Sequence, residues 1–142
     1  MIILDTNVVS EPLKRQPDPK VLAWLDAQAP ETLYLTAINL AELAAGIALL
    51  PVGRKRTALQ HALDQRMMPL FEGRILHFDA KSAQVFANLS AKLQAMGSTM
   101  SFADCTIAAV AMANGFALAT RNTRDFKNTG ISLIDPWSWK LS

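Results

Sequence analysis

The chain has 142 residues, 51% of them apolar and only 18% charged, which excludes a disordered or low-complexity segment and supplies enough apolar surface for the core of one domain over residues 1–142. The formal net charge of +2 permits nucleic-acid binding without arguing for it. The lone cysteine, Cys105, excludes an intrachain disulfide and a cysteine-built zinc cluster, and with no basic-apolar leader or bilayer-length apolar run in the sequence the expected location is the cytoplasm.

Residues 2–4 (IIL) read as a short buried strand that runs straight into Asp5. Asp5 and Thr6 are helix-capping types, so a short helix is predicted over 6–11, ended or kinked by Pro12, which lacks a backbone donor. A loop over 14–19 carries two basic residues, Lys14 and Arg15, and two prolines. Asp18 then caps a helix over 19–28 with Pro19 at its first position and Val21, Leu22, Trp24 and Leu25 on its apolar face.

TLYLT at 32–36 is a strand. Residues 37–50 are almost wholly apolar and read as a buried helix stopped by Pro51. An amphipathic helix follows over 53–68, with Arg54, Lys55 and Arg56 at its start, and then a strand over 74–78. A long helix over 79–96 presents Val85, Phe86, Leu89 and Leu93 on one face and closes at Gly97. A second buried helix over 102–114 ends at Gly115, and strands follow at 116–120 and 131–134, the last leading into DPWSW.

Short apolar strands alternating with helices predict a three-layer α/β/α sandwich around a central, mainly parallel sheet. In such sheets ligands sit beyond the carboxyl ends of the strands, which is where Asp5 and the turn after Thr120 fall.

Three acids stand where acids are costly. Glu42 lies inside NLAELAAGIALL, and its helical neighbours Ile38, Asn39, Ala45 and Gly46 offer no basic partner. Asp104 is the one charged residue of SFADCTIAAVAMANG, where Ser101-x-x-Asp104 also has capping-box spacing. Asp5 likewise reads equally as a helix cap and as a functional acid. An α/β sandwich brings all three to one sheet edge, and oxygen ligands without cysteine or paired histidine suit a hard cation such as Mg²⁺ or Mn²⁺.

ATRNTRDF adds Arg121, Asn122, Arg124 and Asp125 in the turn after Thr120. It reads either as a polar surface loop, or as a turn in which Asn122 or Asp125 completes the acidic pocket and an arginine holds a phosphate. His61 and His77 lack metal-ligand spacing, the basic run at 54–56 reads as a solvated helix start, and Trp137 and Trp139 read as core or dimer packing.

Four segments in register, MIILDTNVVSE, AINLAELAAGI, SFADCTIAAVAMANGFALATRNTRDF and ISLIDPW, resemble the PIN-domain ribonucleases, and within them the VapC-like toxins of type II toxin–antitoxin pairs, especially the FitB-like branch. The resemblance implies that Asp5, Glu42 and Asp104 form the acidic triad that binds a divalent metal, Mg²⁺ or Mn²⁺. The family's fourth acidic position falls in the loop after Thr120, where Asn122 stands in place of the usual aspartate and Asp125 follows. Thr6, Asn7 and Thr120 match small polar positions near the pocket. The implied activity is metal-dependent endoribonuclease cleavage of RNA, with Arg121 or Arg124 on the RNA phosphates. The implied partners are a second copy of the chain and a small antitoxin, through which alone the toxin meets operator DNA. Two other readings are a phospho-acceptor protein of the haloacid-dehalogenase or receiver type, with Asp5 as nucleophile, and a catalytically inactive PIN-like binding module.

Overall fold

The computed structural model describes residues 1–141. Five short strands, β1 (Ile2–Leu4), β2 (Leu33–Thr36), β3 (Ile75–Leu76), β4 (Ala117–Ala119) and β5 (Leu133–Ile134), form one sheet in the order β3-β2-β1-β4-β5. Every pairing is parallel, so the sheet is parallel throughout its described length. The first strand in sequence is the middle strand in space.

The helices are α1 (Thr6–Ser10), α2 (Pro19–Ala27), α3 (Ala37–Ala48), α4 (Arg54–Ala62), α5 (Met68–Leu70), α6 (Ala80–Ala95), α7 (Phe102–Asn114) and α8 (Thr123–Phe126). Successive strand residues point to opposite faces, and the core divides accordingly. Leu4 and Leu35 join Val8, Val21, Trp24 and Leu43 in one cluster. Ile3 and Leu118 join Leu89, Leu93, Ile107 and Val110 in the other. Helices thus cover both faces, which is the predicted three-layer α/β/α sandwich. Among the described residues no helix is long and apolar enough to cross a membrane.

Predicted details change in two helices. The helix expected to be buried over 37–50 is α3, which ends at Ala48 and buries only Asn39, Leu43 and Ile47. Those residues form a single stripe at i, i+4 spacing, while Ala41, Glu42, Ala45, Gly46 and Ala48 are exposed. Alanine and glycine count as apolar in sequence but carry too little side chain to demand burial. The helix expected over 53–68 is α4, continued through a π-helical stretch, Leu63–Met67, into α5. Pro12 ends α1 as expected, in the 3-10 turn Glu11–Leu13. Gly115 does end α7 as predicted, at φ 68°, a left-handed conformation that costs glycine least.

Candidate active site

The carboxyl ends of the three middle strands carry the site. Thr36 closes β2, Asp5 follows β1 and Thr120 follows β4, all three fully or nearly fully buried. A continuous hydrogen-bond chain joins them. The Thr36 hydroxyl donates to Asn39 Oδ1 (2.6 Å), and Asn39 Nδ2 donates to Asp5 Oδ1 (3.2 Å). The Thr120 hydroxyl donates to Asp5 Oδ2 (2.7 Å). Asp5 Oδ1 also accepts from the Thr6 N–H (2.9 Å), so Asp5 is both the cap of α1 and the hub of the network. Burial of this carboxylate is met by donors on both oxygens, as a buried charge requires.

Glu42 stands on the exposed side of α3, and its Oε1 accepts from the Thr6 hydroxyl (2.8 Å). Thr6 in turn accepts from Asn39 Nδ2 (3.3 Å), which links Glu42 to the Asp5 network. Asp104 is half-buried in the first turn of α7, where its N–H donates to Ser101 Oγ (3.1 Å), so Ser101 supplies the cap and the Asp104 carboxylate makes no return capping bond to the backbone at the helix start. Burial holds the Asp104 carboxyl above its ordinary range, the charge of Asp5 adds to this, and Asp125 and Glu42 push the same way, while a hydrogen bond from Ser101 opposes them. Asp5, Asp125 and Glu42 therefore each lie near enough to Asp104 to act on its charge, at one edge of the sheet. Among the described residues no basic side chain pairs with any of them. Nor do three His, Cys, Asp or Glu side chains among the described residues stand close enough to grip an ion together.

The remaining predicted residues line the same edge. Asn7 Oδ1 accepts from the Arg121 N–H (3.3 Å), and the Asn122 N–H donates to Thr120 Oγ1 (3.1 Å). Asn122 begins α8 without a side-chain cap bond, and Asp125 lies exposed in that turn. Phe126, beside it, plugs the core at 1% exposure. Arg121 and Arg124 are both exposed, and the Arg121 guanidinium lies over the Trp137 ring, 5.0 Å from its centroid. The acids lie on an open rim. A hollow of about 700 Å³ lies elsewhere, between the start of the 14–18 loop and α3 and α4, with Leu13, Lys14, Leu43, Ile47 and Lys55 in its wall.

Two polar residues of consequence escaped the sequence reading. Asn39, with no exposed surface, makes bonds to Thr36, Asp5 and Thr6 and completes a capping box with Thr36. Its signal was the spacing Thr36-x-x-Asn39 at the junction of strand and helix. Glu11 is a buried carboxylate at 3% exposure. It accepts from the Asp18 N–H (3.2 Å) and pairs with Lys14 Nζ (2.8 Å), which anchors the loop between them.

A fully parallel α/β/α sandwich with an all-oxygen acidic rim at the carboxyl ends of its middle strands defines the class of protein. Among known families, the PIN domain matches residues 2–131. The chain is 47% identical to the VapC ribonuclease Y4jK of Sinorhizobium fredii, over 96% of this chain and 98% of that protein. It is 44% identical to the toxin FitB of Neisseria gonorrhoeae, over 96% of this chain and 99% of that protein. The solved structure of FitAB bound to an IR36 DNA fragment superposes with a TM-score of 0.94 at 41% identity, covering 99% of both chains. The chain belongs to the PIN-domain family.

Proposed function

We propose that the chain is a ribonuclease that hydrolyses RNA phosphodiester bonds with Mg²⁺ or Mn²⁺ and serves as the toxin of a toxin–antitoxin pair. The observation that carries the chemistry is the gathering of Asp5, Glu42, Asp104 and Asp125 at one rim without a basic counter-charge among the described residues. Like charges collected at a cost call for a cation. Mg²⁺ is commonly held by one or two carboxylates, with waters and substrate phosphate completing its shell, so three clustered protein ligands are not required. Asp5 and Asp104 are the residues to hold it, with Asp125 at the margin. The bound cation supplies charge stabilisation at the scissile phosphate and lowers the pKa of a water.

The chain's own residues then divide the work. Thr120, Asn39 and the Thr6 N–H fix both oxygens of Asp5. Glu42 is exposed and oriented through Oε1 by the Thr6 hydroxyl, and it takes the proton of the attacking water. The open rim admits a polymer, which an enclosed hollow does not. Arg121 and Arg124 stand beside it for the RNA backbone, contacts that position RNA without reading its sequence.

The names of the relatives support the rest: a VapC ribonuclease, a toxin, and a FitAB complex on DNA. On that basis the chain pairs with a small antitoxin and meets operator DNA through it; a cytoplasmic location and pairing with a second copy belong to the same proposal. The purified chain is tested on RNA with Mn²⁺, Mg²⁺ or EDTA, beside Asp5→Asn. Cleavage only with metal, and none by Asp5→Asn, is expected. Cleavage that persists in excess EDTA overturns the metal mechanism, and a folded parent that cleaves no RNA with either metal favours the inactive-module reading.

A further inference from the structure

Arg121 follows the carboxyl end of β4, with its N–H bonded to Asn7 Oδ1 (3.3 Å) next to the Asp5 network. A guanidinium on a flexible stem at an acidic rim ordinarily settles onto a carboxylate. It does not do so here, since the one ion pair among the described residues joins Lys14 and Glu11. The guanidinium carbon lies instead 5.0 Å from the centroid of Trp137.

Trp137 is well placed to hold it. It belongs to the 3-10 turn Pro136–Ser138 that follows β5, the sheet neighbour of β4. Asp135 fixes that turn, with Oδ1 accepting from the Trp137 N–H (2.9 Å) and Oδ2 from the Ser138 hydroxyl (3.1 Å). The indole is half-buried against the core layer of Val21 and Trp24, so it is a fixed platform rather than a loose surface ring. An aromatic face attracts a cation without supplying a counter-charge. The acids therefore stay free for a metal, and the guanidinium keeps its charge and its N–H donors for a phosphate.

We propose that Trp137 is a positioning residue that holds the Arg121 guanidinium off the carboxylates and ready for an RNA phosphate. The inference rests on the ribonuclease reading above and adds a residue to which no role in it was given.

The test is a double-mutant cycle on binding of a fluorescein-labelled single-stranded RNA, read by anisotropy in EDTA across a salt series. The proteins are the parent, Trp137→Leu, Trp137→Phe, Arg121→Gln and the two Trp137 variants combined with Arg121→Gln. Arg121→Gln is expected to lower the slope of log affinity against log salt by about 0.7, one single-strand phosphate contact. Trp137→Leu is expected to weaken binding about threefold, the scale of one exposed cation–π contact, with Trp137→Phe recovering part of it. Neither Trp137 change is expected to matter once Arg121 is glutamine. Thermal melting identifies a variant that does not fold, and Trp137→Phe then carries the cycle alone. Equal weakening by a Trp137 variant with and without Arg121, or unchanged affinity in folded Trp137→Leu, overturns the proposal. A silent cycle in a parent that cleaves RNA overturns only this inference. A parent that binds RNA but never cleaves it removes the ribonuclease reading and leaves the cycle legible, and a parent that binds no RNA overturns both.

Discussion

Thr120→Val deletes a hydroxyl while keeping the shape of a side chain that has no exposed surface. Two bonds go with it: the donation to Asp5 Oδ2 (2.7 Å) and the acceptance from the Asn122 N–H (3.1 Å). A hydrogen bond to an ionised carboxylate contributes about 1.5–3 kcal/mol, and an unmet buried acceptor stays costly because water does not reach it. The Asn122 N–H opens to an exposed turn, where water replaces the lost oxygen at a cost of about 0.5 kcal/mol. The sum is about 2–3.5 kcal/mol, which for a chain of this size lowers Tm by about 5–12 °C. Thr120→Ser keeps the hydroxyl and serves as the control. Melting of both variants by circular dichroism in EDTA decides the matter. Cleavage by Thr120→Val is expected to fall about tenfold, the usual scale for loss of a partner that orients a ligand carboxylate. A valine variant that melts within about 1 °C of the parent, or a serine variant that falls as far as valine, refutes the assigned bond.

Glu42→Gln is expected to abolish cleavage while leaving Tm in metal-free buffer unchanged or raised, because one member of a repelling cluster loses its charge; a clear fall in metal-free Tm shows a structural bond instead. Asp125→Asn is expected to shift the midpoint of a Mn²⁺ titration of cleavage several-fold upward yet leave detectable activity at high Mn²⁺, and Asn122→Asp to shift it downward; complete loss in folded Asp125→Asn makes it an essential ligand. For Asp104 the folded carboxyl titrates above its ordinary 3.8, so the folded state binds more protons than the unfolded state in that window, and stability falls as pH rises from about 3.8 through the raised value. Asp104→Asn escapes that loss: in EDTA its Tm relative to the parent is expected to climb from pH 3.5 to neutrality, and a flat difference contradicts the cluster.

The sequence announced what local patterns encode. Apolar strands of three or four residues ending at Asp5 and Thr36, and the Ser101-x-x-Asp104 spacing, placed three strand or helix ends correctly because capping and strand burial act over a few residues. Asp5 and Asp104 were legible as acids at costly places, whereas Glu42 was singled out for a burial that the exposed side of α3 does not impose. Strand order was not legible, since it depends on which helix packs on which face, and without β5 beside β4 nothing in the sequence brings Arg121 to Trp137. The burial of 37–50 was overestimated because residue type was read without side-chain size. Asn39 was passed over because, seen alone, a small amide near a helix start is an ordinary cap; its partner Asp5 lies 34 positions away.

The middle strand also sets a clock. Residues of β1 pair with β2 on one side and with Ala117, Leu118 and Ala119 on the other. On the ribosome, the 115 positions between Asp5 and Thr120 take about 6–23 s to add at roughly 5–20 residues per second. For that interval the emerging chain has its first acid but neither the strand nor the hydroxyl that fixes it, and for most of it no Asp104. The acidic rim is thus among the last features of the fold that synthesis can complete, because its central strand waits for β4 and Thr120.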